Sequence, residues 1–175
     1  TGARIYNALV KPVSEYAADV WDPPTAAREK LETLHRWAAR TVLGLPRHTP
    51  NAAVLGELGF APVEARHAEL KLRRFHRLYK MDASSVVARV FRIRLQDWKE
   101  NRRRRLGHPW MFAVQEAADR VHLRHVLDNP DSALERISKP EWFAMVHDAI
   151  TRHYNVRWSE EVRSKSSLHL LRDVK

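Results

Sequence analysis

Apolar residues return at intervals of three and four along almost the whole 175-residue chain, and clean alternation at interval two is rare. That period matches the turn of an α-helix and not the pleat of a strand, so it commits the chain to helices. The clearest case starts at Pro62, a residue suited to a helical first turn, and runs to about Met81. Ala68, Leu72, Phe75 and Tyr79 fall within about 60° of one another at 100° per residue. Arg66, Arg73, Arg77 and Lys80 gather on the opposite side, where only Leu70 interrupts them. Glu64 and Glu69 are the only acids of that helix, so little within it neutralises the basic stripe.

The same reading places the other elements. A first helix runs from about Ala3 to Val20, with a kink or break expected at Pro12. Trp21-Asp22-Pro23-Pro24-Thr25 stops it and caps the next. The second helix covers about Ala26 to Leu43, its apolar stripe formed by Leu31, Leu34, Ala38, Val42 and Leu45, with Arg36 and Arg40 opposite. Gly44 and Pro46 end it, and Arg47 follows in a polar link. Asn51 to Leu58 is a short helix closed by Gly59. Ser84 to Trp98 is helical but less regular. Further helices are expected from Trp110 to about Leu127, from Ser132 to Ile137, from Pro140 with Trp142, Val146, Ile150 and Tyr154 inward, and from Ser159 to about Val174. The fold class is therefore all-α, a bundle of about seven to nine helices. Its expected parts are 1–81, a basic connector 82–107, and a C-terminal helical part 108–175.

Charge sets the partner. Lys and Arg number 31 against 21 acids, for a formal net charge of +10, and 23 of the cations are Arg. The planar guanidinium grips phosphates in pairs and stacks on bases, so nucleic acid comes first and an acidic membrane surface second. The densest cluster is Arg102-Arg103-Arg104-Arg105. It suits phosphate contact, and a nuclear-localisation signal is the rival reading. Trp98 and Trp110 flank it, either as core residues or as stacking platforms for bases.

Several chemistries are excluded or unsupported. Without Cys there is no disulfide, zinc knuckle, iron–sulfur cluster or thiol catalysis. No run of about 18 apolar residues offers a membrane span. Neither G-x-G-x-x-G nor G-x-x-x-x-G-K-[ST] occurs. The ten His residues include the pairs His122/His125 and His147/His153, but no H-E-x-x-H occurs and no carboxylate sits at ligand spacing beside His122. The serines lie in no nucleophile elbow, and the carboxylates form no cluster for two-metal phosphoryl chemistry. No enzyme activity, cofactor or metal is expected. The chain begins at Thr1 and not Met, as expected of a processed product or a fragment.

Three ordered blocks carry more than composition. Tyr6-Asn7-Ala8-Leu9-Val10-Lys11-Pro12 with Tyr16 and Trp21 forms Y-x-x-L-V-x-P-x-x-x-Y-x-x-x-x-W. Lys30-Leu31-Glu32-Thr33-Leu34-His35 through Ala38, Arg40, Leu43, Gly44 and Pro46 is similar to K-L-E-x-L-Q-x-x-A-x-R-x-x-L-G-x-P, with His35 in place of Gln. Thr49-Pro50-Asn51-Ala52-Ala53 through Glu57-Leu58-Gly59, Pro62 and Arg66 follows T-x-N-A-x-L-x-E-L-G-x-x-P-x-x-x-R. Together they resemble the thumb region that follows the palm in reverse transcriptases of non-LTR, LINE-type retrotransposons. A weaker likeness, Trp158 with Ser164-Lys165-Ser166-Ser167-Leu168, extends to the C-terminal stretch of that family.

The resemblance implies a thumb-like N-terminal part that grips nucleic acid. The metal-binding Y/F-x-D-D of the family's palm is absent, as are its Cys/His knuckle and endonuclease. The expected function is therefore a non-catalytic, basic RNA-binding protein. It would serve as a structural subunit of a large ribonucleoprotein such as an organellar (mitochondrial) ribosome, beside other subunits. The alternative is a thumb and C-terminal fragment of an active polymerase, which would work in the nucleus or cytoplasm. Phosphate contacts are expected from Arg36, Arg40, Arg47, Arg66, Arg73, Arg77, Lys80 and Arg102 to Arg105, with little sequence preference.

Overall fold

A computed structural model describes residues 2–101 and 107–165. Among these residues all regular structure is helical, in nine helices when the first run is counted as one. That run joins α1 (Gly2–Ile5), a π turn (Tyr6–Val10) and α2 (Lys11–Glu15). The others are α3 (Thr25–Leu43), α4 (Asn51–Leu58), α5 (Val63–Tyr79), α6 (Val86–Glu100), α7 (Pro109–Arg120), α8 (Arg124–Asp128), α9 (Pro130–Leu134) and α10 (Lys139–Ser164).

The sequence places several boundaries well, because their signals are local. Gly44 and Gly59 adopt left-handed φ values of 65° and 62°. Each closes its helix with the paired bonds of a Schellman motif: Leu45 N–H to Arg40 C=O at 2.9 Å, and Phe60 N–H to Leu55 C=O at 2.9 Å.

Four expectations are corrected. The first helix ends at Glu15 and not Val20, since Ala17 turns into the left-handed region at φ 56°. Pro12 is accommodated one turn earlier, where Lys11 N–H reaches back five residues to Tyr6 C=O and widens the helix. On α3 the buried positions are His35, Ala38 and Ala39, while Leu34 is 47% exposed. The helix expected from Trp110 to Leu127 is cut after Arg120. There His122 takes φ 60° and Leu123 N–H bonds Ala118 C=O at 2.9 Å, a Schellman ending made without glycine. Finally, the two helices expected from Pro140 and Ser159 are one, α10. The part expected beyond residue 165 lies outside the described residues.

The chain gathers into two compact units, neither of them continuous in sequence. The first comprises the described residues up to Tyr16, Pro23–Arg66, and those from Thr151; the second comprises Ala17–Asp22 and His67–Ile150. α5 and α10 contribute to both. The expected boundaries at 81/82 and 107/108 fall within the second unit.

The first unit packs Tyr6 on Phe60, ring centroids 5.1 Å apart, and on His35, whose Nδ1 meets the Tyr6 hydroxyl. The distal part of α10 lies on α4. There the Trp158 indole N–H donates to Ala52 C=O at 2.8 Å, and a Cβ on Gly56 would stand 3.0 Å from the indole ring.

In the second unit Leu72, Phe75, Trp98, Val114, Leu127, Leu134, Trp142 and Val146 are fully buried. The Trp142 N–H donates to Leu72 C=O at 3.0 Å, and the His76 ring stacks on the Trp142 indole with only 12° between planes. Trp142, Val146 and Ile150 are buried here, and Tyr154 in the first unit, as their spacing predicts.

Candidate nucleic-acid interface

The four described cations expected along α5 have different surroundings. Arg66 meets Glu15 at 3.1 Å, both in the first unit. Arg73 pairs with Glu69 one turn away, and its guanidinium lies 4.6 Å above the Phe143 ring of α10. Arg77 is exposed, with no ion pair among the described residues. Lys80 is exposed too, and its ammonium donates to Glu135 C=O at 2.9 Å. The same helix buries further charge. Lys71, 5% exposed, pairs with Asp22 at 2.8 Å, and Arg74 approaches Asp19 at 3.7 Å. Thus the acids that α5 lacks come from the ends of the first helical run and the turn after it. α5 is an internal helix with wet edges and not a free basic face.

In the first unit, Arg40 is a loop clasp. Its guanidinium donates to Thr49 C=O at 2.9 Å, to Asn51 Oδ1 at 2.5 Å and to Arg36 C=O at 3.2 Å, tying the 44–50 link to α3. Arg36 is half-buried and donates to Glu32 C=O at 3.1 Å. Arg47 is exposed, with no polar partner among the described residues. Arg102 to Arg105 lie outside the described residues. Of the described expected cations, Arg36, Arg40, Arg47 and Arg66 thus belong to the first unit and Arg73, Arg77 and Lys80 to the second.

Buried polar groups here serve the fold. The Glu32 carboxylate accepts the Glu64 N–H at 2.8 Å and so caps the first turn of α5. Burial raises its pKa, the Glu64 backbone bond working against the shift. His35 is pushed down to about 4, first by burial and then by Lys11 and Arg36, with the Ala61 backbone opposing. Burial also raises the Tyr6 hydroxyl to about 12, helped by Glu32 and Glu15. Trp98 is fully buried, and the Trp110 N–H donates to Asp19 C=O at 2.7 Å. Both tryptophans flanking the arginine run are packing residues.

Reading each helix by its own period missed Arg89, Arg92 and Arg94 on α6. All three are exposed, and no acid stands between Asp82 and Asp97. Arg92 donates to Met81 C=O at 3.3 Å and acts electrostatically on the neighbouring Asp82 carboxylate, whereas Arg94 donates to Gly107 C=O at 3.4 Å, a bond that brings no carboxylate. The available signal was three arginines in an acid-free stretch, obscured by the Val86, Val87, Val90 and Ile93 that alternate with them.

Among the described residues no three His, Asp or Glu side chains come together as a metal site, and no helix is long and apolar enough to cross a membrane. Comparison of this chain with family models, with curated proteins and with solved structures returns no match.

Proposed function

We propose that this chain is a non-catalytic RNA-binding protein that grips phosphate backbones, a structural subunit of a large ribonucleoprotein, descended from a non-LTR reverse transcriptase. One observation carries the binding: the distribution of its acids. Glu15, Asp19, Asp22, Glu64, Glu69, Asp119 and Asp128 all face cations, namely Arg66, Arg74, Lys71, Arg157, Arg73 and Arg124. With these acids engaged, the +10 surplus falls on exposed arginines such as Arg47, Arg77, Arg89 and Arg94, and on the 102–105 run in the sequence. Uncompensated arginine at a surface attracts polyphosphate. Descent rests on the three ordered blocks between Tyr6 and Arg66, and the ribonucleoprotein role on descent without a palm motif.

The test is RNA affinity against salt. Binding of the 175-residue chain to single-stranded RNA should weaken by about 0.7 log units per phosphate contact per decade of salt. Replacing Arg47 and Arg77 together by Ala should flatten that slope by about 1.4, the sum of two contacts. Ala at Arg102 to Arg105 should flatten it further. Salt-insensitive or absent binding overturns the reading. The same blocks also suit the alternative, a thumb fragment of an active polymerase. Peptides bearing a Y/F-x-D-D palm in the endogenous polypeptide would decide for that alternative, and an endogenous product near 20 kDa for the subunit.

A further inference from the structure

α6 is apolar on two opposite sides. Ala88, Phe91, Leu95 and Trp98 form the buried side. Val86, Val90 and Ile93 form the other, within about 60° of one another at 100° per residue. They stand 64%, 51% and 68% exposed, and Val87 beside them is half exposed. β-Branched residues form helix less readily than Ala, Lys or Glu. These three therefore cost helix stability without being buried in return. Arg89 borders the strip on one side and Arg94 on the other, both exposed. Arg89 has no polar partner among the described residues, and the partner of Arg94 is a carbonyl.

RNA explains the arginines but not the strip. Valine and isoleucine offer no ring for a base to stack on and nothing for a phosphate. A second copy of the chain suits it no better, because pairing two such strips sets arginine-bordered edges against each other with no carboxylate. We infer that this face of α6 docks an acidic amphipathic helix of a partner protein. The partner lays apolar residues at three-four spacing on Val86, Val90 and Ile93, and sets carboxylates against Arg89 and Arg94.

The probe is a designed helical peptide with a leucine strip bordered by Glu, compared with the same strip bordered by Lys and with a scrambled acidic peptide. Fluorescence anisotropy against the full 175-residue chain should show the Glu-bordered peptide binding, and the other two at least about tenfold weaker. Val90→Ser with Ile93→Ser should cost about tenfold or more in affinity while circular dichroism stays unchanged. Arg89→Glu with Arg94→Glu should reverse the preference toward the Lys-bordered peptide. The proposal is overturned if the serine variant binds as well as the parent, since attraction is then charge alone. It is also overturned if the strip drives dimerisation in sedimentation, or if its removal abolishes binding to phosphatidylserine vesicles while peptide binding is absent.

Discussion

α5 and α6 are both arginine-bearing helices with a strong apolar side, and they treat their cations in opposite ways. On α5, Arg66, Lys71, Arg73 and Arg74 face Glu15, Asp22, Glu69 and Asp19. On α6, Arg89 and Arg94 face solvent or a backbone carbonyl, and Arg92 meets a carbonyl with the exposed Asp82 nearby. The helix with the cleaner basic stripe is the more enclosed of the two. A one-sided pattern within a helix says where that helix would be wet if it stood alone, and partners from elsewhere in the chain decide whether it is.

The largest expected effect tests the enclosed side of that contrast. Asp22→Ala leaves the Lys71 ammonium buried without its carboxylate. Breaking a buried pair by removing one partner costs about 3 kcal/mol. Chemical denaturation should show the midpoint falling accordingly, while Arg77→Ala on the exposed edge of the same helix stays within about 0.5 kcal/mol. Equal small effects from both would dissolve the distinction, because α5 would then carry no internal ion pair of consequence.

That contrast also marks where the sequence was legible. The all-α class, the span of α4 and the inward residues of α10 follow from period and from local stop signals such as Gly59. The buried charges of α5 do not, since Asp22 lies 49 residues from Lys71 and no local rule joins them. The outer face of α6 was hidden for the opposite reason. Apolar residues on both sides of the helix blur the period, so the arginines stand out only once burial separates the two apolar sides. Trp98 and Trp110 admitted core and stacking readings alike, and the packing around them chose the core.

A second test asks whether α3 repeats the lesson, its buried side being centred on His35 and not on Leu34. In the unfolded chain an imidazole takes its proton near 6.5, whereas in the fold His35 refuses it until about 4. Between those values the unfolded chain binds the extra proton. Stability is therefore complete above pH 6.5 and declines as pH falls through the window. From pH 6.5 to 5 the loss from His35 is roughly 1.5 kcal/mol, the slope approaching about 1.36 kcal/mol per unit within the window. His76, also lowered by burial, acts in the same direction. His35→Gln, which keeps a polar side chain opposite Tyr6, should have a visibly shallower stability–pH curve. Parallel curves would mean that His35 is open to protonation in the fold.

The smallest effect concerns a backbone that gains nothing from its side chain. His122 is exposed and holds φ 60° to close α7, the task glycine performs at Gly44 and Gly59. An L-residue in the left-handed region is strained by about 1–2 kcal/mol, and glycine relieves this at some cost in unfolded-state entropy. His122→Gly should therefore stabilise the chain by up to about 1 kcal/mol, read as a higher denaturation midpoint at unchanged slope. The sign carries the argument. On α5 a lost partner is felt because the charge left behind is buried. At His122 the side chain can be removed with a gain, because it has no packing to lose and only the turn itself is required. Destabilisation by this substitution would show that the imidazole makes contacts that hold the break between α7 and α8. The exposed side of this unit would then be less dispensable than the α6 arginines suggest.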